Sequence, residues 1–74
     1  MERIVVNPKI LGGKPIIKGT RISVSLILDL FSSGMNAKEI VMEYPHLTEK
    51  DVFAAARYAA SLLGKEHVVL KKAS

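Results

Sequence analysis

The 74-residue sequence contains no cysteine and no tryptophan, and its aromatic side chains are limited to two tyrosines and two phenylalanines. Without cysteine no disulfide can form, and with two histidines, His46 and His67, a structural zinc site of the usual kind is not expected. The sequence also lacks the apolar run of a secretory signal and any run of the about 20 apolar residues that span a bilayer. These absences predict a cytoplasmic protein without a metal, a cofactor or a membrane segment.

Apolar side chains, in contrast, are plentiful and make up 49% of the residues. A chain of 74 residues suffices for one small domain, and a domain of that size buries only about 60% of the surface that its unfolded chain exposes. Because neither disulfides nor a metal adds stability, the extra burial has to come from another protein chain. We therefore expect at least a homodimer.

The net charge of +4 is unevenly distributed along the chain. Basic side chains are in excess in residues 1–23 and again in residues 64–74, whereas acidic side chains are slightly in excess in residues 24–63. The same boundaries separate three parts of one domain: a basic N-terminal strand and hairpin region, a three-helix core, and a basic C-terminal tail. A polyanion should meet the two flanks before the centre.

The N-terminal part alternates short extended segments with turns. Residues 3–6 are rich in β-branched side chains and end at Asn7-Pro8, so they predict a strand. Residues 9–11 are expected to form a second extended piece, Gly12-Gly13 a tight turn, and residues 15–17 another strand. A further turn at residues 18–19 completes a small basic hairpin region.

The first helix is predicted over residues 24–33, with Ser23 as its N-cap and Gly34 as the residue that ends it. Its apolar side chains recur at helical spacing, and Leu26 and Leu30 widen the apolar stripe almost to the full circumference. Such a helix has to be covered on more than one side. The candidate dimer-interface residues are therefore Val24, Ile27, Leu28 and Phe31.

Two further helices are predicted from their capping boxes. Asn36 with Glu39 begins the second helix, which has to end before Pro45. Thr48 with Asp51 begins the third, which runs to about residue 63 and is closed by a glycine. The expected inner face of the third helix consists of Val52, Phe53, Ala56, Ala59, Ala60 and Leu63. Residues 67–70 predict a short C-terminal strand that pairs with residues 3–6 of the same or another chain.

The resulting fold class is mainly α: a three-helix helix-turn-helix core with a short N-terminal β-hairpin region and a short C-terminal strand. In a helix-turn-helix protein, the N-terminal residues of the last helix contact base edges. Here Glu49 and Asp51 stand among those residues and would repel phosphates, so Lys50 is the one DNA-binding candidate at that helix start. In the basic hairpin region, Lys14, Lys18 and Arg21 are the stronger DNA-binding candidates.

Three segments carry a family resemblance: G-G-K-P-I-I-K-G-T-R-I at residues 12–22, G-M-N-A-K-E-I at residues 34–40, and Y-P-H-L-T-E-K-D-V at residues 44–52. Together they closely resemble domain-of-unknown-function family 433. The resemblance implies an antitoxin-like protein, related in role to VapB antitoxins, with a homeodomain-like helix-turn-helix and often encoded beside a PIN-like ribonuclease toxin. The first helix departs from that family in being unusually apolar, which favours self-association.

The glycine-lysine segment does not have the spacing of a phosphate-binding loop, so its glycines are expected to serve two tight turns. Arg21 either contacts phosphate or forms an ion pair with Asp29 or Glu43. No serine, histidine and acid form a catalytic pattern, so no catalytic residue is assigned. Within the C-terminal tail, the partner-binding candidates are Lys65, Lys71 and Lys72, which suit the acidic, metal-binding cleft of a PIN-like nuclease.

The leading hypothesis is a non-enzymatic, homodimeric, antitoxin-like protein that neutralises a PIN-like toxin and binds operator DNA to repress its own synthesis. The alternative is a protein-interaction module in which the helix-turn-helix is a scaffold and DNA is not bound. The acidic start of the third helix motivates this alternative. A third and more remote interpretation is an RNA-binding domain or a small enzyme.

Overall fold

The computed structural model describes residues 3–64, and the predicted C-terminal strand lies outside them. Strands β1 (Ile4–Val6) and β2 (Pro15–Ile17) are followed by helices α1 (Val24–Ser32), α2 (Ala37–Glu43) and α3 (Glu49–Leu62). The fold is thus mainly α, with three helices and a short two-stranded sheet at the N-terminal side. In the described part of the chain, no helix combines the length and the apolarity that a membrane span requires.

The two strands form an antiparallel pair in which Ile4 lies opposite Ile17 and Val6 opposite Pro15. The loop between them contains a tight left-handed turn at Leu11–Gly13, where φ is positive at all three residues, rather than the extended piece predicted for residues 9–11. That prediction was wrong because Asn7 forms a turn immediately after β1, in which its side-chain oxygen accepts from the Lys9 N–H at 2.9 Å. The predicted left-handed glycines are confirmed at Gly12 and Gly13, with φ of 65° and 87°.

The turn after β2 is held by Thr20. Its hydroxyl donates to the Ile17 carbonyl at 2.8 Å and accepts from the Ile22 N–H at 2.9 Å. The Lys18 N–H donates to the Arg3 carbonyl at 2.8 Å, so the start of the same turn is also bound to the chain just before β1. These bonds fix the path of the backbone that carries Lys18 and Arg21.

All three helix N-termini are capped as predicted. Ser23 accepts from the Leu26 N–H at 3.0 Å, and both capping boxes, Asn36 with Glu39 and Thr48 with Asp51, are complete. Gly34 has a φ of 104° directly after the end of α1, as a left-handed terminating residue requires. Helix boundaries are therefore set by local side-chain chemistry that is legible in the sequence.

The core lies between the three helices and one face of the sheet. Its most deeply buried aliphatic side chains are Ile16, Ile17, Ile27, Ile40, Leu47 and Val52. On α3 the predicted inner face was partly wrong, because Phe53 is 50% exposed and Leu63 is 78% exposed. Val52 is buried as predicted, but the other buried side chains of that helix are Asp51, Ala54 and Ala55, and the predicted Ala60 is exposed. The alanines of α3 lie on opposite sides of the helix, so the spacing of apolar residues alone does not determine which alanines face inward.

Candidate functional site

The hairpin cations form an exposed basic surface. We call Lys9, Lys14, Lys18 and Arg21 the hairpin cations; all four are exposed, in the β1–β2 loop and in the turn after β2. Within residues 3–64 none of them forms a salt bridge with a carboxylate. The suggested ion pair of Arg21 with Asp29 or Glu43 is accordingly not formed in that part of the chain. Uncompensated and hydrated cations on a short, backbone-fixed hairpin are suited to contact with a polyanion.

The ion pair that does form joins the sheet to the third helix. A terminal guanidinium nitrogen of Arg3 lies 2.8 Å from Oδ1 of Asp51, and the other carboxylate oxygen accepts from the Thr48 N–H at 3.0 Å. The Asp51 side chain is 11% exposed, whereas that of Arg3 is 47% exposed. Residues 48 positions apart are thus connected at the point where α3 begins. Sequence reasoning missed this pair, because capping explains Asp51 on its own.

Burial opposes ionisation of the Asp51 carboxyl, but hydrogen bonds from Thr48 and Arg3, together with the positive charge of Arg3, hold the pKa of Asp51 below its ordinary value. The carboxylate therefore remains charged, faces inward and is partly neutralised by Arg3. One of the two acids that made the start of α3 unfavourable for DNA contact is thereby withdrawn from the surface. Glu49 and Lys50 remain exposed there.

We expect Asp51→Asn to destabilise the fold by about 1 kcal/mol at pH 6, since it weakens a helix cap and removes the partner of Arg3. Because the folded-state pKa of Asp51 is lowered, its contribution is fully present above the unfolded-state value of about 4 and is lost as the pH falls through the folded-state value. Urea unfolding at pH 6 and at pH 3 should show a smaller difference between wild type and variant at the lower pH. Glu49→Gln, exposed at the same helix start, is the control, and an equal gap at both pH values would contradict this role.

The outer face of α3 carries two residues that sequence reasoning did not assign to a site. Phe53 is half exposed although it was predicted in the core, and Arg57, one turn further along, is exposed. With Lys50 they form an exposed stripe that is basic and aromatic. The spacing of Glu49, Phe53 and Arg57 at one-turn intervals indicates one common helix face. The neighbouring alanines, however, leave open whether that face is turned to solvent or to the core.

The remaining candidate residues fall in three places. Lys65, Lys71 and Lys72 lie outside the described residues. Ile27 is 0% exposed and Val24 is 5% exposed, so both are buried in the core of their own chain. Leu28 and Phe31 are half-buried and pack against the edge of that core. A second copy that contacts α1 has to use Leu28 or Phe31 rather than Ile27.

Within residues 3–64, no group of three histidine or acidic side chains is placed to hold a metal ion. His46 is exposed beside Pro45 in the turn between α2 and α3. The exposed hairpin cations offer electrostatic attraction and Phe53 offers an apolar contact.

Comparison with known proteins finds a family model that matches most of this chain. The family model described as "Protein of unknown function (DUF433)" matches residues 4–59. An uncharacterized protein from Archaeoglobus fulgidus is 67% identical over 24 residues, which cover 32% of this chain and 67% of that protein. A crystal structure of a DUF433 member protein from Anabaena variabilis superposes with a TM-score of 0.76 at 34% identity. That match covers 80% of this chain, which spans 58% of the length of the solved chain.

Proposed function

The chain belongs to the DUF433 family, and on that premise we propose that it is a non-enzymatic, antitoxin-like protein. As a homodimer it binds and neutralises a PIN-like ribonuclease toxin, and it binds the operator DNA of its own gene so that the pair represses its synthesis. Neutralisation uses the basic tail residues Lys65, Lys71 and Lys72 against the acidic cleft of the nuclease. Carboxylates clustered in such a cleft repel one another, so cations inserted among them are stabilised.

The observation that carries the DNA-binding part is the exposure of the hairpin cations without a carboxylate partner in residues 3–64. A duplex presents one negative charge per about 1.7 Å of its axis, so cations on one fixed loop engage several phosphates together. The hydrogen bonds of the Thr20 hydroxyl to the Ile17 carbonyl and the Ile22 N–H hold the turn in place before DNA arrives, which reduces the entropy lost on binding. A two-fold dimer would present this surface twice, on half-sites about one helical turn apart.

The arrangement of α2 and α3 also supports contact with DNA. Leu47 is 2% exposed and packs the turn between these helices, and its N–H donates to the Tyr44 carbonyl at 2.9 Å. With Asp51 turned inward toward Arg3, the exposed part of α3 offers Lys50 and Arg57 against Glu49. The hairpin supplies most of the positive charge and α3 a smaller part.

A gel-shift titration with the DNA upstream of the gene tests the proposal. We expect binding that weakens as salt rises and that exceeds binding to a shuffled sequence of the same composition. Equal affinity for the shuffled DNA would show that the protein binds DNA through its positive charge alone and without sequence specificity. Absence of any shift at micromolar protein would reject the operator function.

The alternative proposal is a protein-interaction module that does not bind DNA. The exposed apolar side chains Phe53 and Met42, at 50% and 80%, favour it, because such side chains on the outside of a helical scaffold are typical of a docking surface. A pull-down that retrieves a PIN-like nuclease from cells, combined with no gel shift, would select this alternative. Loss of nuclease retrieval in Phe53→Ser would locate the contact on α3.

A further inference from the structure

Arg3 lies at the junction between the hairpin region and the start of α3. Its carbonyl accepts from the Lys18 N–H at 2.8 Å, so Lys18 lies opposite Arg3, one position beyond the last residue pair of the two strands. Its guanidinium lies 2.8 Å from the carboxylate of Asp51, which follows Lys50 in the first turn of α3. Arg3 therefore contacts both the turn that carries Lys18 and the helix turn that carries Lys50.

The ion pair occupies only one edge of the Arg3 guanidinium. A guanidinium has five N–H donors in one plane, and among residues 3–64 the single hydrogen bond of this group runs to Oδ1 of Asp51. The other oxygen of Asp51 accepts from the Thr48 N–H at 3.0 Å, so arginine and carboxylate do not form a bidentate pair. The Arg3 side chain is 47% exposed, whereas that of Asp51 is 11% exposed. The remaining donors of Arg3 are thus accessible to a ligand, and the carboxylate is mostly covered.

The role of Arg3 in the fold does not explain the other cations at this junction. Like charges that lie opposite each other on neighbouring strands are destabilising, and Lys18, opposite Arg3, has no carboxylate partner within residues 3–64. Lys50 is exposed and likewise forms no salt bridge in that part of the chain. Three cations thus stand against the acids Asp51 and Glu49. A bound anion would relieve the repulsion among the cations.

We propose that Arg3 contacts a backbone phosphate of the bound DNA, so that the hairpin and α3 form one continuous phosphate-contacting surface. The inference rests on the proposed DNA-binding function and adds a residue to its site. Asp51 orients the guanidinium, and the remaining donors match two oxygens of a phosphate. Because the side chain is already held, it loses less conformational freedom on binding than a hydrated lysine does. Base edges lie about 8.5 Å deep in the major groove, whereas an arginine held against Asp51 reaches the outer phosphates.

Fluorescence anisotropy over a salt series, with Arg3→Ala compared with Asp51→Asn, tests this contact. Both substitutions remove the ion pair, but Asp51→Asn keeps the cation. For a dimer, Arg3→Ala should weaken binding to the upstream DNA by at least about 10-fold at moderate salt. It should also lower the slope of log affinity against log salt by about 2, since each lost phosphate contact contributes about 0.9. Asp51→Asn should keep the wild-type slope.

Three further variants control for charge and for stability. Arg3→Lys should restore the slope, because it retains the charge. Lys38→Ala removes an exposed cation of α2 and should leave the slope unchanged. The double variant Arg3→Ala with Asp51→Asn leaves no unpaired carboxylate, and its slope should lie about 2 below that of Asp51→Asn alone. This second comparison applies even if Arg3→Ala alone does not fold, which circular dichroism shows.

A phosphate contact acts on every DNA sequence, so Arg3→Ala should cost the same factor on the upstream DNA and on shuffled DNA. A loss confined to the upstream DNA would assign Arg3 to a base and overturn the phosphate contact. Equal slopes for Arg3→Ala, Asp51→Asn and wild type would leave Arg3 a structural role only and also overturn it, while DNA binding by wild type stands. No binding by wild type would instead reject the DNA-binding function and this inference with it.

Discussion

Replacement of Lys14, Lys18 and Arg21 together by alanine is expected to weaken binding to the upstream DNA by at least about 100-fold at moderate salt. These three hairpin cations are exposed and form no salt bridge within residues 3–64, so their full charge is available to phosphates. Each lost phosphate contact lowers the slope of log affinity against log salt by about 0.9. For a dimer with three such contacts per copy, the slope should fall by about 5. Gel shifts or fluorescence anisotropy over a salt series measure both quantities.

The control for this variant keeps the charge and alters the side chains. Lys14→Arg, Lys18→Arg and Arg21→Lys in one chain should retain the salt slope of wild type, because contacts to phosphate depend mainly on charge. Lys38→Ala, an exposed cation on α2, should change the affinity little. If the triple alanine variant keeps the wild-type slope, the hairpin is not the DNA-contacting element and α3 becomes the first candidate.

The second large effect concerns the core. Ile40 is 0% exposed at the centre of the helical packing, so Ile40→Ala should cost about 2–5 kcal/mol of the free energy of unfolding, through lost burial and the cavity that remains. For a domain of this size each kcal/mol lowers the midpoint of thermal unfolding by roughly 4–8 °C. The variant should therefore be largely unfolded at physiological temperature. Thermal and urea unfolding followed by circular dichroism measure the change.

Met42→Ala provides the comparison on the same helix. Its side chain is 80% exposed, and we expect a change within about 0.5 kcal/mol. A loss of stability at Met42 as large as that at Ile40 would mean that the outer face of α2 is covered by another chain. A small loss at Ile40 would contradict the packing of α2 against the other helices.

Local chemistry explains why so much of the fold was predictable. Ser23, Asn36 and Thr48 satisfy backbone N–H groups within three residues of themselves, so each helix start could be identified from the sequence alone. Strands β1 and β2 were likewise placed by short β-branched segments between turn residues. Features determined within one turn of the chain are those that a single sequence reveals.

The errors arose where distant residues decide the structure. Which side of α3 faces inward is decided by the packing of Val52 and Ala55 in a core that distant segments build, and the alanine-rich pattern of that helix leaves both sides equally plausible. Phe53 was consequently assigned to the core and Arg57 to no site. Leu11 adopts a φ of 50°, which is uncommon for a residue other than glycine. The sequence did not predict this value, because the turn at Asn7 leaves few residues in which the loop can close.

Only part of the candidate site could be predicted from the sequence. The exposure of Lys14, Lys18 and Arg21 followed from glycines and charges that lie next to them in sequence. The inward orientation of Asp51 could not be predicted in this way, and it reduces the negative charge that is exposed at the start of α3. Val24 and Ile27 were predicted at a dimer interface because the pattern of a single helix does not show which parts of the same chain cover it.

Neutralisation of a nuclease is tested by a titration of nuclease activity. The product of the reading frame next to the gene, which the proposal expects to be a PIN-like nuclease, would be purified and its cleavage of a fluorescent RNA followed while the full chain is added. We expect cleavage to fall in proportion to added chain and to stop near equimolar amounts, and Lys65→Ala, Lys71→Ala and Lys72→Ala combined to restore it. Undiminished cleavage in the presence of excess folded chain would contradict neutralisation.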